Sequence, residues 1–243
     1  AANPFITDKT AKPRVLTITQ STYDGILYNV EDIKEELDGK IDTLHFDEAW
    51  LPHAAFHDFY GDYHAIGADR PRCKESMIFS TQSTHKLLAG LSQASQILVQ
   101  DAENQKLDRD IFNEAYLMHT STSPQYSIIA SCDVAAAMME APAGTALVEE
   151  SITEALDFRR AMRKVDEEWG ADWWFKVWGP DDLSEEGIEE RDAWMLKPGE
   201  RWHGFNNLAD GFNMLDPIKA TIVTPGLDVD GDFADEFGIP AAI

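Results

Sequence analysis

Short apolar runs alternate with stretches of helical period along the first half of the chain. Residues 15–19 (VLTIT) are apolar and β-branched, as a buried strand is. Tyr23, Asp24 and Gly25 follow as a turn, and residues 30–37 place apolar and charged positions at helical spacing, closed by Gly39. Residues 42–46 (DTLHF), 76–80 (SMIFS) and 97–100 (ILVQ) read as three more strands. Strands separated by helical stretches predict an α/β domain with a largely parallel sheet. Ligands of such sheets sit beyond the carboxyl ends of the strands, where Asp47 and residues 83–86 (STHK) fall.

The second half reads differently. Residues 133–139 form a small-residue helix, broken at 141–144 (APAG). A long helix is predicted from Thr145 to about Trp169, with Ala155, Phe158, Met162 and Val165 on one face. Residues 173–178 (WWFKVW) and 220–224 (ATIVT) read as strands, and 181–192 as an acidic surface loop. A domain boundary is expected inside the long helix, separating residues 1–150 from 151–243.

Charge and composition narrow the function. The 243 residues carry 44 Asp+Glu against 20 Lys+Arg, a formal charge of −24. That balance argues against a nucleic-acid backbone and against an anionic membrane surface. At 44% hydrophobic and 26% charged the chain can bury a core. Cys73 and Cys132 lack the spacing of a disulfide framework or a zinc ribbon, which points to reduced cysteines and a cytoplasmic location. No stretch approaches the roughly 20 apolar residues that span a bilayer.

The candidate chemistry centres on Lys86. It follows a strand, hydroxyl and imidazole groups precede it, and Leu87 and Leu88 suggest partial burial. A desolvated lysine can act as a nucleophilic amine toward carbonyls. The hydroxyls of Ser83 and Thr84 suit a phosphate monoester. An aldehyde that also carries a phosphate is pyridoxal 5'-phosphate, which needs such a lysine and an acidic partner for its pyridine nitrogen. Asp47 can be that partner.

Seven ordered motifs complete the picture: YDG at 23–25, HFDEAW at 45–50, STHKLLAGLSQAS at 83–95, FNEAYLMHTSTSPQY at 112–126, WHGF at 202–205, LDPIK at 215–219 and GIPAAI at 238–243. Together they resemble the bacterial Orn/Lys/Arg decarboxylases, over essentially the whole chain. AAFHDFY, QYSIIAS, AMMEAPAG and DWWFKVW resemble the pseudomonad-type lysine decarboxylases most. The resemblance implies an α/β large domain of the aspartate-aminotransferase type (fold type I), in part, followed by the start of a small α+β domain. It implies a catalytic set of Lys86, Asp47 and His85. Lys86 would hold the cofactor, Asp47 would pair with its pyridine nitrogen, Ala49 would lie on the ring and Trp50 near its phenolic oxygen. Ser83 and His85 would contact the phosphate. Residues 119–123 (HTSTS) would lie at a subunit interface, with Ser121 or a neighbouring hydroxyl reaching the partner's cofactor, so the active site would need a homodimer or a larger assembly of dimers.

The implied activity is α-decarboxylation of a basic amino acid, lysine to cadaverine first, with arginine or ornithine as alternatives. An aminotransferase on the same cofactor is a further reading, and a relative without cofactor is disfavoured by the presence of Lys86 and Asp47. No metal is expected. His53, His57 and His64 lack ligand spacing, and residues 228–232 (DVDGD) miss the EF-hand pattern because Phe233 and Ile239 stand where Gly and Glu belong. The tryptophans at 169, 173, 174 and 178 read as packing, and WHGF carries no derivable role. Nothing before Lys86 resembles the Gly/Ser/Thr-rich phosphate cradle or the ring-stacking histidine motif of the family. The expectation is therefore that the chain lacks N- and C-terminal parts, binds the cofactor weakly and is inactive by itself.

Overall fold

The computed structural model describes residues 13–223, except 174, 182, 185, 186 and 189. In chain order its elements are β1 (Val15–Thr19), β2 (Ile26–Tyr28), α1 (Val30–Leu37), β3 (Thr43–Asp47), β4 (Met77–Gln82), α2 (Thr84–Leu87), β5 (Gln96–Gln100), α3 (Arg109–His119), α4 (Tyr126–Met138), α5 (Ala143–Trp169), β6 (Lys176–Trp178), β7 (Asn213–Leu215) and β8 (Thr221–Val223). They gather into two compact units that interleave along the sequence. The first takes residues 13–20, 30–52 and 64–135, and the second 21–29, 53–63 and 136–223. The single cut near residue 150 expected from the sequence differs from this interleaving.

The first unit is built on a four-stranded sheet of order β1-β3-β4-β5. β1, β3 and β4 run parallel, and β5 returns antiparallel to β4. Strand alternation decides what each face meets. Leu16 and Ile18 on β1, Leu44 and Phe46 on β3, and Ile78 on β4 join a core with Val30, Ile33 and Leu37 of α1. Thr17, His45 and Phe79 form a register row on the opposite face. There the His45 ring is hydrogen-bonded to Thr17 (3.2 Å) and Thr81 (3.1 Å), tying three strands together. α1 ends where Gly39 takes φ +73°, a conformation that costs glycine little. Its amide then donates to Ser76 Oγ.

Helix α3 has no counterpart in the sequence reading. Asp108 caps it, accepting from the amides of Asp110 and Ile111. Its Phe112 lies 6.2 Å from Phe79 between ring centroids. α4 starts at Tyr126, seven residues ahead of the expected helix, because the β-branched Ile128 and Ile129 disguise its first turns.

In the second unit β2 pairs antiparallel with β7, and β6 with β8. The buried stripe of α5 is Val148, Ile152, Leu156 and Arg159, which corrects the predicted face. Phe158 is exposed. Arg159 replaces an apolar residue in the stripe because its guanidinium donates to the carbonyls of Pro217 (2.6 Å) and Lys219 (2.7 Å). Strand structure covers only 176–178 and 221–223 of the two expected strands. At the end of the expected loop and just beyond it, Arg191–Trp194 form a 3₁₀ turn that buries Trp194. Among the described residues no helix is long and apolar enough to cross a membrane. The motif at 238–243, the acidic turn at 228–232, Trp174 and the N-terminal residues lie outside the described residues.

Asp216, within LDPIK, is the buried hub of this unit. Its carboxylate accepts from Tyr60 Oη (2.8 Å), the amide of Ile218 (3.1 Å) and Lys219 Nζ (2.9 Å), with His53 Nε2 at 3.4 Å. Burial by itself raises this carboxyl, but Lys219 and His53 outweigh burial and hold it well below the usual carboxylate range. A depressed carboxyl contributes stability that is present above its unfolded value, about 4, and is lost as pH falls through the native value. Asp216→Ala leaves Tyr60 buried without its acceptor and Lys219 without its counter-ion, with only Ser21 Oγ still accepting from the ammonium. It is expected to cost about 3–5 kcal/mol at neutral pH, measured as a lower unfolding midpoint, with the deficit shrinking in strong acid. An unchanged midpoint at pH 7 would remove Asp216 from this role.

Candidate functional site

The carboxyl ends of β3 and β4 lie side by side, since Asp47 is in register with Thr81. Both ends are held by backbone bonds: the amide of Gln20 donates to Asp47 O, and the amide of Glu48 to Thr81 O, each at 2.9 Å. Asp47 Oδ1 accepts from the amide of Ala49 at 3.1 Å. This small turn fixes the half-buried carboxylate and leaves Oδ2 without a hydrogen-bond partner among the described residues.

β4 runs directly into α2. Ser83 is extended (φ −97°, ψ 94°) and makes no side-chain cap. Its carbonyl accepts from the amide of Lys86 at 3.1 Å, which sets the direction of the lysine. Lys86 is half-buried, and its ammonium lies 4.5 Å from the centroid of the Trp50 ring, a cation–π contact. The HFDEAW and STHK motifs therefore meet through side chains, the first by Trp50 and the second by Lys86.

His85 is anchored by the backbone. Its amide (3.2 Å) and its ring Nδ1 (2.8 Å) both approach Ala94 O. With Nδ1–H given to that carbonyl, Nε2 can donate to an anion only when the ring is an imidazolium. The loop closes on α2 at Gly90, where a Cβ would stand 3.1 Å from the carbonyl carbon of Thr84. A side chain there would have to push the Thr84 backbone aside by a few tenths of an ångström. Thr84 is buried, with Oγ1 3.5 Å from Cys132 Sγ.

Ser121 stands apart. It lies on an exposed segment after α3, its hydroxyl accepts from the amide of Ser123 at 3.1 Å, and no contact joins it to the other site residues among the described residues. Both cysteines are free, and burial pushes the Cys73 thiol up to about 11, which leaves it unreactive at neutral pH. The sequence reading passed over Glu48. This fully buried carboxyl accepts from Ser80, Gln82 and Ala65. A readable signal was present: in F-D-E at a strand end Phe46 and Glu48 share the inward face, opposite to Asp47.

Comparison with known proteins places the chain in a family. The model of the Orn/Lys/Arg decarboxylase major domain matches residues 5–243. Lysine decarboxylase LdcA of Pseudomonas aeruginosa is 49% identical over 246 residues, which are 100% of this chain and 32% of the relative. The biodegradative arginine decarboxylase of Escherichia coli is 40% identical over 259 residues, 99% of this chain and 34% of the relative. The solved structure of lysine decarboxylase A from Pseudomonas aeruginosa superposes with a TM-score of 0.86 at 48% identity, covering 98% of this chain and 32% of that one. The chain thus spans about a third of the length of the relatives it matches.

Proposed function

The chain belongs to the Orn/Lys/Arg decarboxylase family, and from that membership we propose that it carries the cofactor-attachment site of a pyridoxal-phosphate-dependent decarboxylase acting on lysine. Its α/β sheet is that of a fold-type-I large domain in part. The observation that carries the reading is that Asp47 and the α2 turn bearing Lys86 follow neighbouring strand ends, with Lys86 held over Trp50.

The groups present fit the cofactor. Lys86 would supply an amine, Asp47 a carboxylate with one uncommitted oxygen, His85 an imidazole and Ser83 a hydroxyl, all from the segments that follow the carboxyl ends of β3 and β4. When bound, pyridoxal phosphate supplies an electron sink for the bond that breaks at the substrate α-carbon. Lys86 would hold the aldehyde carbon through its amine. Asp47 would face the pyridine nitrogen and keep a proton on it, because a carboxylate favours the charged form of its neighbour. Trp50 lies against the lysine amine, and Ala49 would lie against the ring. Ser83 and His85 would donate to the phosphate. The two free thiols favour a reducing compartment, the cytoplasm.

Lysine is favoured over arginine because identity to the lysine enzyme is higher. The test offers lysine, arginine and ornithine together to the protein carrying this chain and identifies the products. Cadaverine with carbon dioxide should dominate. A keto acid would instead indicate an aminotransferase, and agmatine or putrescine would move the specificity.

A second copy of the chain is the proposed partner. α3 and α4 expose Ile111, Leu117, Met118, Tyr126, Ile129 and Val134, with Met118 at 80% of its full exposure. Such apolar surface calls for a covering partner, and Ser121 lies between the two helices, where it could serve the other subunit. Leu117→Asp with Met118→Asp is expected to shift the sedimentation coefficient to that of the monomer and to remove activity. An intact oligomer would reject α3 as its interface.

A further inference from the structure

Strand alternation turns Asp47 outward and Glu48 inward, so two adjacent carboxyls leave β3 in opposite directions. Glu48 is completely buried. Its Oε1 accepts from the amide of Ala65 at 2.6 Å. Its Oε2 accepts from Ser80 Oγ at 2.5 Å and from Gln82 Nε2 at 2.9 Å. The side-chain Oε1 of Gln82 in turn accepts from Gln96 Nε2 at 2.7 Å. A polar ladder therefore runs from the end of β3, through the end of β4, to the start of β5. It lies immediately beneath the two segments that matter: Asp47 precedes Glu48, and Gln82 precedes Ser83, whose carbonyl fixes the amide of Lys86.

Nothing in the core requires a carboxyl here, and burying one is costly. Burial raises it, while Ser80, Gln82 and Ala65 pull the other way. Lys34 pairs with Glu31 at 3.0 Å and reaches Glu48 only as a nearby charge that also lowers its carboxyl, so the groups in contact with Glu48 are three neutral donors. Three donors converge on two oxygens, an arrangement whose content is directional: it fixes one strand end against the other.

Resting on the cofactor reading above, we infer that Glu48 is a positioning residue that sets the placement of Asp47 relative to Lys86 through the buried ladder Glu48–Gln82–Gln96. Glu48→Gln keeps the volume but sets its NH₂ against a donor in either orientation, the Ala65 amide or the Gln82 NH₂, breaking the network at one bond. Glu48→Gln combined with Gln82→Glu reverses donor and acceptor and restores it.

The experiment uses the cofactor-loaded protein carrying this chain and measures kcat, KM, cofactor content, unfolding midpoint and the visible absorption band of the bound cofactor. Glu48→Gln should lower kcat about tenfold or more, as misplacement by a fraction of an ångström does, with KM changed less than about twofold. It should also shift the visible band at unchanged cofactor content, which a purely structural defect would not do. The double variant should recover both kcat and the band. Ser80→Ala, which removes one donor and leaves the rest, should move kcat and the band in the same direction by less, and it decides the matter should Glu48→Gln not fold. A Glu48→Gln or Ser80→Ala protein with unaltered band and kcat overturns the inference, as does a loss of activity that merely follows loss of folded protein. A parent protein without any cofactor band overturns the underlying reading instead, so the two failures are distinguishable.

Discussion

Lys86→Ala in the protein carrying this chain is expected to abolish turnover while leaving the fold in place. The turn that presents Lys86 is held by backbone bonds, from its own amide to Ser83 O and from the Leu88 amide to Thr84 O. Neither involves the lysine side chain. What the substitution removes is the contact with Trp50, worth about 0.5–1 kcal/mol at a partly exposed site. No second amine can stand in: Lys74 precedes β4, and Lys34 is bound to Glu31. Loss of a nucleophile of this kind costs on the order of 10³ to 10⁶ in rate. The check is kcat beside an unfolding midpoint within about 1 kcal/mol of the parent. Retained turnover would mean that the chemistry lies elsewhere.

Asp47→Asn is expected to be nearly as damaging to turnover and far milder to cofactor binding. The amide is isosteric, and its oxygen can still accept from the amide of Ala49, so the turn at the end of β3 survives. What changes is Oδ2, where an uncommitted acceptor becomes an NH₂ donor. A neutral donor no longer keeps a proton on a facing pyridine nitrogen. One pKa unit is worth about 1.4 kcal/mol, and a fall of two to three units lowers the rate by roughly 10³. Steady-state rates and a cofactor titration separate the two effects. Near-normal turnover would reduce Asp47 to a strand-end residue.

The sheet was legible in the sequence because its strands are apolar, β-branched and bounded by polar turns. β1 has its expected bounds, and β3, β4 and β5 lie within two residues of theirs, while the three-residue β2 was not foreseen. The rule that ligands gather at strand carboxyl ends then singled out Asp47 and Lys86 without knowledge of pairing. The antiparallel return of β5 was not legible, since apolar content carries no strand direction. α3 was hidden because its apolar residues point outward, Leu117 and Met118 among them, and no buried stripe marks it. Arg159 misled the helix pattern because a buried arginine counts as polar in any periodicity. The Asp216 hub joins side chains 156 positions apart, Tyr60 and Asp216, and only the folded chain brings them together. In the same way His53, unassigned in the sequence, is a buried partner of Asp216. Glu48 depends on register: the sequence holds the alternation, but its three donors come from other segments.

The account stands or falls on which lysine carries the cofactor. Borohydride reduction of the cofactor-loaded protein, followed by peptide mapping, fixes the attachment point covalently. The result predicted is a single pyridoxyl group on the peptide containing residues 83–86, at Lys86. A label on any other lysine, or none in a protein that decarboxylates lysine, would contradict it.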